Sequence, residues 1–144
     1  MRFMVIVKAD KDSEAGVLPD KKSFDEMGKF NEELVKAGVL LAAEGLQSSK
    51  KGARVRFSGS KRTVTDGPFA ETKELIAGFW LFQVKSLAEA IEWVKRAPNP
   101  FPGKESDIEI RQVFEADDFG PELVTEERKQ RMQNIAQIQG REAR

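Results

Sequence analysis

The side chains best suited to chemistry gather in one short run. Asp66, Glu71, Lys73 and Glu74 lie close together around Gly67, Pro68 and Phe69, and the apolar stretch Leu75 to Phe82 follows at once. Carboxylates beside an ammonium group can move protons or hold a polar ligand, and an apolar strand behind them supplies a dry wall. Two further groups extend the set. Glu44 is the single acid on the otherwise apolar stretch Val39 to Leu46, and a carboxylate there needs a partner or a cavity. Arg111, in Asp107 to Phe114, offers a fork for a carboxylate or phosphate. The expected catalytic pair is Asp66 and Glu44, with Arg111, Phe69, Glu71, Lys73 and Glu74 as ligand-binding residues. Each motif also has a plainer reading. Asp, Gly and Pro suit a turn, so Asp66-Gly67-Pro68 can serve only to shape the entry to the next strand. Glu44 at a frayed strand end would sit in water.

The chain contains no His, Cys or Tyr. Acid/base work therefore falls to carboxylates and lysines, and thiolate, disulfide and zinc-thiolate chemistry are excluded. Hard cations held through oxygen are the only metals left to consider. Asp10, Asp12 and Glu14 imitate the alternate acids of a calcium loop, yet Gly16 falls one place late and Lys21 stands where the closing Glu belongs. A solvated loop is expected there, and neither metal nor cofactor is assigned.

The elements that position these groups follow from periodicity. Arg2 to Lys8 has Phe3, Val5 and Val7 on one face and Met4 and Ile6 on the other, which predicts a central strand covered on both sides. Leu75 to Phe82 likewise has no face suited to water, and alternation requires either Phe79 or Trp80 to look away from the helices. Pro19 to Ala37 reads as a helix opened by a Ser23/Glu26 capping box, burying Met27, Phe30, Leu34 and Val35 and ending at Gly38. Val39 to Leu46 is the next strand. Lys50 to Thr65 predicts a hairpin in which Arg54 and Arg56 alternate with Val55 and Phe57, taken as core-facing.

Six bases in that hairpin (Lys50, Lys51, Arg54, Arg56, Lys61 and Arg62) have no acid among them, which raises nucleic-acid binding as a reading. A solvated edge whose charges resist aggregation is the favoured one, and no nucleic-acid partner is expected. Ser86 and Glu89 box the start of a second helix, with Ala90, Ile91, Val94 and Ala97 inward and Pro98 as its stop. Asp107 to Phe114 is the last strand, with Ile108, Ile110 and Phe114 on one face and Glu109, Arg111 and Val113 on the other. A charged helix from about Thr125 closes the chain, with only Met132, Ile135 and Ile138 to bury.

The order strand, helix, strand, hairpin, strand, helix, strand is a split βαβ unit repeated around an inserted hairpin. Two helices can cover only one face of such a sheet, so a second copy packing sheet toward sheet is expected to cover the other.

The string TDGPFAETKE, followed by IAGFWLFQV, SLAEAIEWVKRAP and IEIRQV, resembles the YCII-related family in the subgroup named after the DGPF motif, from about Phe3 to Phe114. The resemblance implies a ferredoxin-like α+β fold that pairs into a dimeric α+β barrel with one cavity per protomer. Members of the wider family are candidate enzymes with a His and Asp pair, and at least one kind eliminates chloride from a chlorinated ring compound. DGPF members are often encoded beside sigma factors of the extracytoplasmic-function type. The absence of histidine here breaks the family's proposed His-based chemistry.

The resulting expectation is a homodimer that binds a small molecule, with carboxylate acid/base chemistry on a small organic acid as its enzymatic form. The alternative is a non-enzymatic regulatory or protein-interaction module linked to sigma-factor function. The length fits one domain, placed at 1–116 with a charged helical extension at 117–144. Equal numbers of basic and acidic residues leave no overall field to draw in DNA or a membrane. The N-terminal run is too short and too soon followed by acids for a signal peptide, so a cytoplasmic location is expected.

Overall fold

A computed structural model describes residues 1–70 and 72–138. Six strands form two antiparallel sheets: β1 Arg2–Lys8, β2 Leu40–Gly45, β3 Ala53–Ser58, β4 Lys61–Asp66, β5 Ile76–Gln83 and β6 Ile108–Gln112. The larger sheet runs β2-β5-β1-β6, so the two most apolar strands are central, as their sequences require. The smaller sheet is the β3-β4 hairpin, which turns at Gly59 with φ 56 and joins no other strand. This is an α+β chain with an open four-stranded sheet; one chain closes no barrel.

Among the described residues the helices are α1 (Lys11–Glu14), α2 (Lys21–Lys36), α3 (Leu87–Lys95) and α4 (Glu126–Ile138), with short 3-10 turns at Ser49–Lys51, Thr72–Glu74 and Ala116–Asp118. The core forms where α2 and α3 lie against one sheet face. Phe3, Val5, Trp80 and Phe82 are buried with Phe30 and Leu34 of α2 and Ala90 of α3. The Phe30 and Trp80 rings meet edge to face at 5.9 Å, and the indole N–H of Trp80 donates to Asn31 Oδ1 at 2.8 Å. Trp80 therefore belongs to the core and Phe79 to the opposite face.

Several local expectations need correction. The cap of α2 is Asp20, whose carboxylate accepts the Ser23 N–H at 2.8 Å, so the helix starts before the expected box. Its far end is as predicted. Gly38 adopts φ 71, and the Val39 and Gly38 amides close onto the Leu34 and Val35 carbonyls. Val35 and Ile91, expected to be inward, are exposed. The loop after β1 holds the short helix α1, capped reciprocally by Asp10 and Ser13. Val55 and Phe57, expected to face the core, are exposed. β6 stops at Gln112, and Phe114 leaves the sheet to stack on Phe119 at 5.0 Å.

Candidate functional site

The helix-free face of the large sheet carries two ordered cross-strand rows. Register places Glu44, Phe79, Ile6 and Glu109 side by side in one row, and Ala42, Leu81, Met4 and Arg111 in the next. No helix of the core covers this face, yet Met4, Ile6, Phe79 and Leu81 are only half-buried. Its centre is apolar and its two edges are charged, with Glu44 on the β2 edge and Glu109 and Arg111 on the β6 edge.

The geometry sets Glu44 and Arg111 on opposite edges of the sheet. Three inter-strand steps lie between Glu44 and the β6 row, about 14 Å at ~4.8 Å per step. No small acid can touch both within one chain. Arg111 instead reaches Glu109 at 3.7 Å, with both side chains largely in solvent. Glu44 is exposed and has no cationic partner among the described residues.

Asp66 ends β4, opposite Ala53, and is exposed. It stands on the hairpin rather than on the large sheet. The turn after it is held by contacts that sequence reading missed. Gly67 N–H donates to Gly52 O at 2.9 Å, and Phe69 N–H donates to Ser49 Oγ at 3.0 Å. Ser49 in turn donates its hydroxyl and, at 3.1 Å, its N–H to the Glu14 carboxylate, while Ser48 Oγ donates to the Glu14 carbonyl at 2.6 Å.

Gly67 has no room for a side chain. A Cβ there would overlap the Ser49 carbonyl oxygen and lie 2.6 Å from its carbon. The guanidinium of Arg54 lies over the Phe69 ring at 4.0 Å. These contacts favour the structural reading for Gly67 and Phe69 and leave Asp66 as the polar group at the turn's exposed end. The Gly67-Pro68 peptide bond is cis. Lys73 and Glu74 are exposed in the 3-10 turn that leads into β5. Glu71 lies outside the described residues.

The turn sits at one end of the large sheet. Leu46 N–H bonds Ala77 O at 2.7 Å just past β2, and Ala9 N–H bonds Leu75 O at 3.0 Å just past β1. Glu44, one residue before the end of β2, is at this same end. The same region holds an ionic cluster in which Lys104 bridges Asp10, at 3.3 Å, and Asp12. Burial alone would raise the Asp10 carboxyl, but the Ser13 N–H and the Lys104 ammonium outweigh it and hold its pKa below the ordinary value. The Asp12 and Asp10 carboxylates raise the Lys104 pKa in return. No group of three or more acidic side chains among the described residues is arranged to hold a metal.

Two surface depressions lie elsewhere. One runs along the outside of α2 and the other beside Phe119, Leu123, Val124 and Met132.

An antiparallel sheet with core helices on one face and, on the other, an apolar centre flanked by charges defines a small α+β protein. Residues 1–117 match the YCII-related domain, and the chain belongs to that family. It is also similar to an uncharacterized protein of Rhizobium meliloti (strain 1021), 33% identical over 94 residues that cover 65% of this chain and 75% of that protein. No helix among the described residues is long and apolar enough to cross a membrane.

Proposed function

We propose that this protein, as a DGPF-type member of its family with a ferredoxin-like fold, binds a small organic acid in a cavity made when two copies pack open face to open face. The observation that carries this reading is the row structure of that face, with an apolar centre, Glu44 at one edge and Arg111 at the other. Packed sheets lie ~10 Å apart, and a twofold axis running along the strands sets β6 of one copy opposite β2 of the other. In that arrangement Arg111 of one copy holds the ligand's acid group. Glu44 of the other copy is the carboxylate base, and Ile6 and Phe79 form the dry wall. Asp66, Lys73 and Glu74, beyond the Glu44 end, form the polar rim, with Asp66 as the second acid/base group and Phe69 shaping the turn that carries it, and Glu71 is kept as a further ligand-binding candidate from the sequence alone.

The test is a thermal-shift panel of small carboxylates on the parent, Glu44→Gln, Arg111→Ala, Asp66→Ala and an equimolar mixture of the first two variants after subunit exchange. A ligand that raises the parent's melting temperature is expected to lose its effect with Glu44→Gln or Arg111→Ala alone. The exchanged mixture is expected to recover part of the effect, because one of its two composite sites is intact. If every variant responds to every acid as the parent does, the proposed site is wrong.

A further inference from the structure

The β3-β4 hairpin projects with both faces open, and its two faces differ. Opposed pairs share a face, so Ala53/Asp66, Val55/Val64 and Phe57/Arg62 form one side, and Arg54/Thr65, Arg56/Thr63 and Ser58/Lys61 form the other. Val55, Phe57 and Val64 are 50%, 70% and 65% exposed, which makes a contiguous apolar strip on a ribbon with no third strand. A lone two-stranded ribbon is marginal in water, and an exposed apolar strip on one usually marks a contact surface. Its four bases, Arg54, Arg56, Lys61 and Arg62, have no carboxylate within ion-pair distance among the described residues.

The complement of this surface lies on the same chain. From Gln112 to Glu127 there is no base, and six acids occur: Glu115, Asp117, Asp118, Glu122, Glu126 and Glu127. Glu115 pairs with Arg2, Glu126 with Lys129 and Glu127 with Arg131, which leaves Asp117, Asp118 and Glu122 without a cationic partner among the described residues. Interleaved with them are exposed apolar groups, the stacked Phe114 and Phe119 and the side chain of Leu123. Beside Leu123 is the shallow groove lined by Phe119, Val124 and Met132. Its rim arginines are engaged, Arg131 with Glu127 and Arg128 with the Leu123 carbonyl.

We infer that the hairpin is a docking arm for a second copy of this chain, seated by Val55, Phe57 and Val64 on the Phe119-Leu123 groove and by Arg62, which shares that face, against Asp117, Asp118 and Glu122. Charge complementarity selects this occupant. The basic arm and the acidic segment balance in a chain of zero net charge, and arms exchanged reciprocally about a twofold axis satisfy both patches at once. A nucleic acid would leave the apolar strip bare and would meet the acidic segment's field. The inference holds whether or not the open sheet faces also pair.

The absence of cysteine makes a direct test clean. Differently tagged Phe57→Cys and Leu123→Cys chains are mixed under mild oxidation, so that only an intermolecular bond can join them. A 57–123 disulfide is expected. Its yield should fall several-fold between about 50 mM and 500 mM salt, because charges on this surface are screened. It should also be lost with Arg62→Glu and return when that arm meets an Asp117→Lys/Glu122→Lys chain. Only 57–57 links, no links, or tight salt-sensitive binding of the parent to random DNA would each overturn the inference.

Discussion

Replacing Gly67 with alanine tests whether the turn after β4 is a structural lock. The added Cβ would overlap the Ser49 carbonyl oxygen and crowd the Lys50 backbone N at 3.2 Å. These are main-chain atoms that cannot rotate away. Overpacking of this kind costs ~1 to 3 kcal/mol. Relieving it moves the turn off Ser49 and weakens the bonds from Gly67 N–H to Gly52 O and from Phe69 N–H to Ser49 Oγ, at ~1 kcal/mol each. Because the turn can yield locally, the net expectation is ~2 to 4 kcal/mol, or a fall of roughly 6 to 12 °C in Tm for a chain of this size. Gly28→Ala is the control. It lies within α2 with nothing within 4 Å of the new Cβ, so it should stabilise by up to ~1 kcal/mol through helix propensity. Thermal unfolding of both variants, with amide exchange at Phe69, provides the assay. A Gly67→Ala variant that melts within about 2 °C of the parent, with Phe69 still protected, would refute the lock.

Three other outcomes follow from the same contacts. Asp66→Ala should change stability by no more than ~0.5 kcal/mol, because the side chain is exposed; urea denaturation checks this, and a neutral result makes any lost ligand response chemical in origin. Glu14→Ala should destabilise by ~1.5 to 3 kcal/mol, because its carboxylate takes both the Ser49 N–H and hydroxyl, and the loss should appear in the urea midpoint. Asp10, with its pKa below the ordinary 3.8, contributes stability that is present above that value and lost as pH falls through the lower folded value. The difference in urea midpoint between the parent and Asp10→Asn should therefore be constant above about pH 5 and shrink toward pH 2.

Alternation made the large sheet legible. Phe3, Val5 and Val7 against Met4 and Ile6, and Trp80 and Phe82 against Phe79 and Leu81, fixed two central strands and required both faces to be apolar. What covers a face is not written in its period. Val55 and Phe57 alternate as a core strand would, but the hairpin has no layer to pack on. The start of α2 was ambiguous because Asp20 and Ser23 are both good caps and lie one turn apart. The Glu14-Ser49-Phe69 chain was invisible because its members are polar, common in loops and distant in sequence, and no spacing rule links them. A Gly next to Asp and Pro reads as a turn, and only the position of the Ser49 carbonyl shows that its lack of a side chain is what the turn needs. Glu44 and Arg111 both stand on the open side of the sheet. Their separation depends on strand order, which sets them at two edges of that face.

The account turns on whether a second copy covers that face. In a single chain Met4, Ile6, Phe79 and Leu81 remain half-exposed, so covering them contributes ~1 kcal/mol each. A charge placed among them, as in Ile6→Glu, would need to be buried unpaired. The direct measurement is molar mass by light scattering at micromolar concentration in about 500 mM salt, where the charges of the hairpin arm are screened, for the parent and for Ile6→Glu. The parent should give about twice 16.2 kDa, and Ile6→Glu should remain folded with a mass shifted toward 16.2 kDa. A parent at 16.2 kDa, or an Ile6→Glu variant as fully associated as the parent, would contradict a cavity built between two sheets.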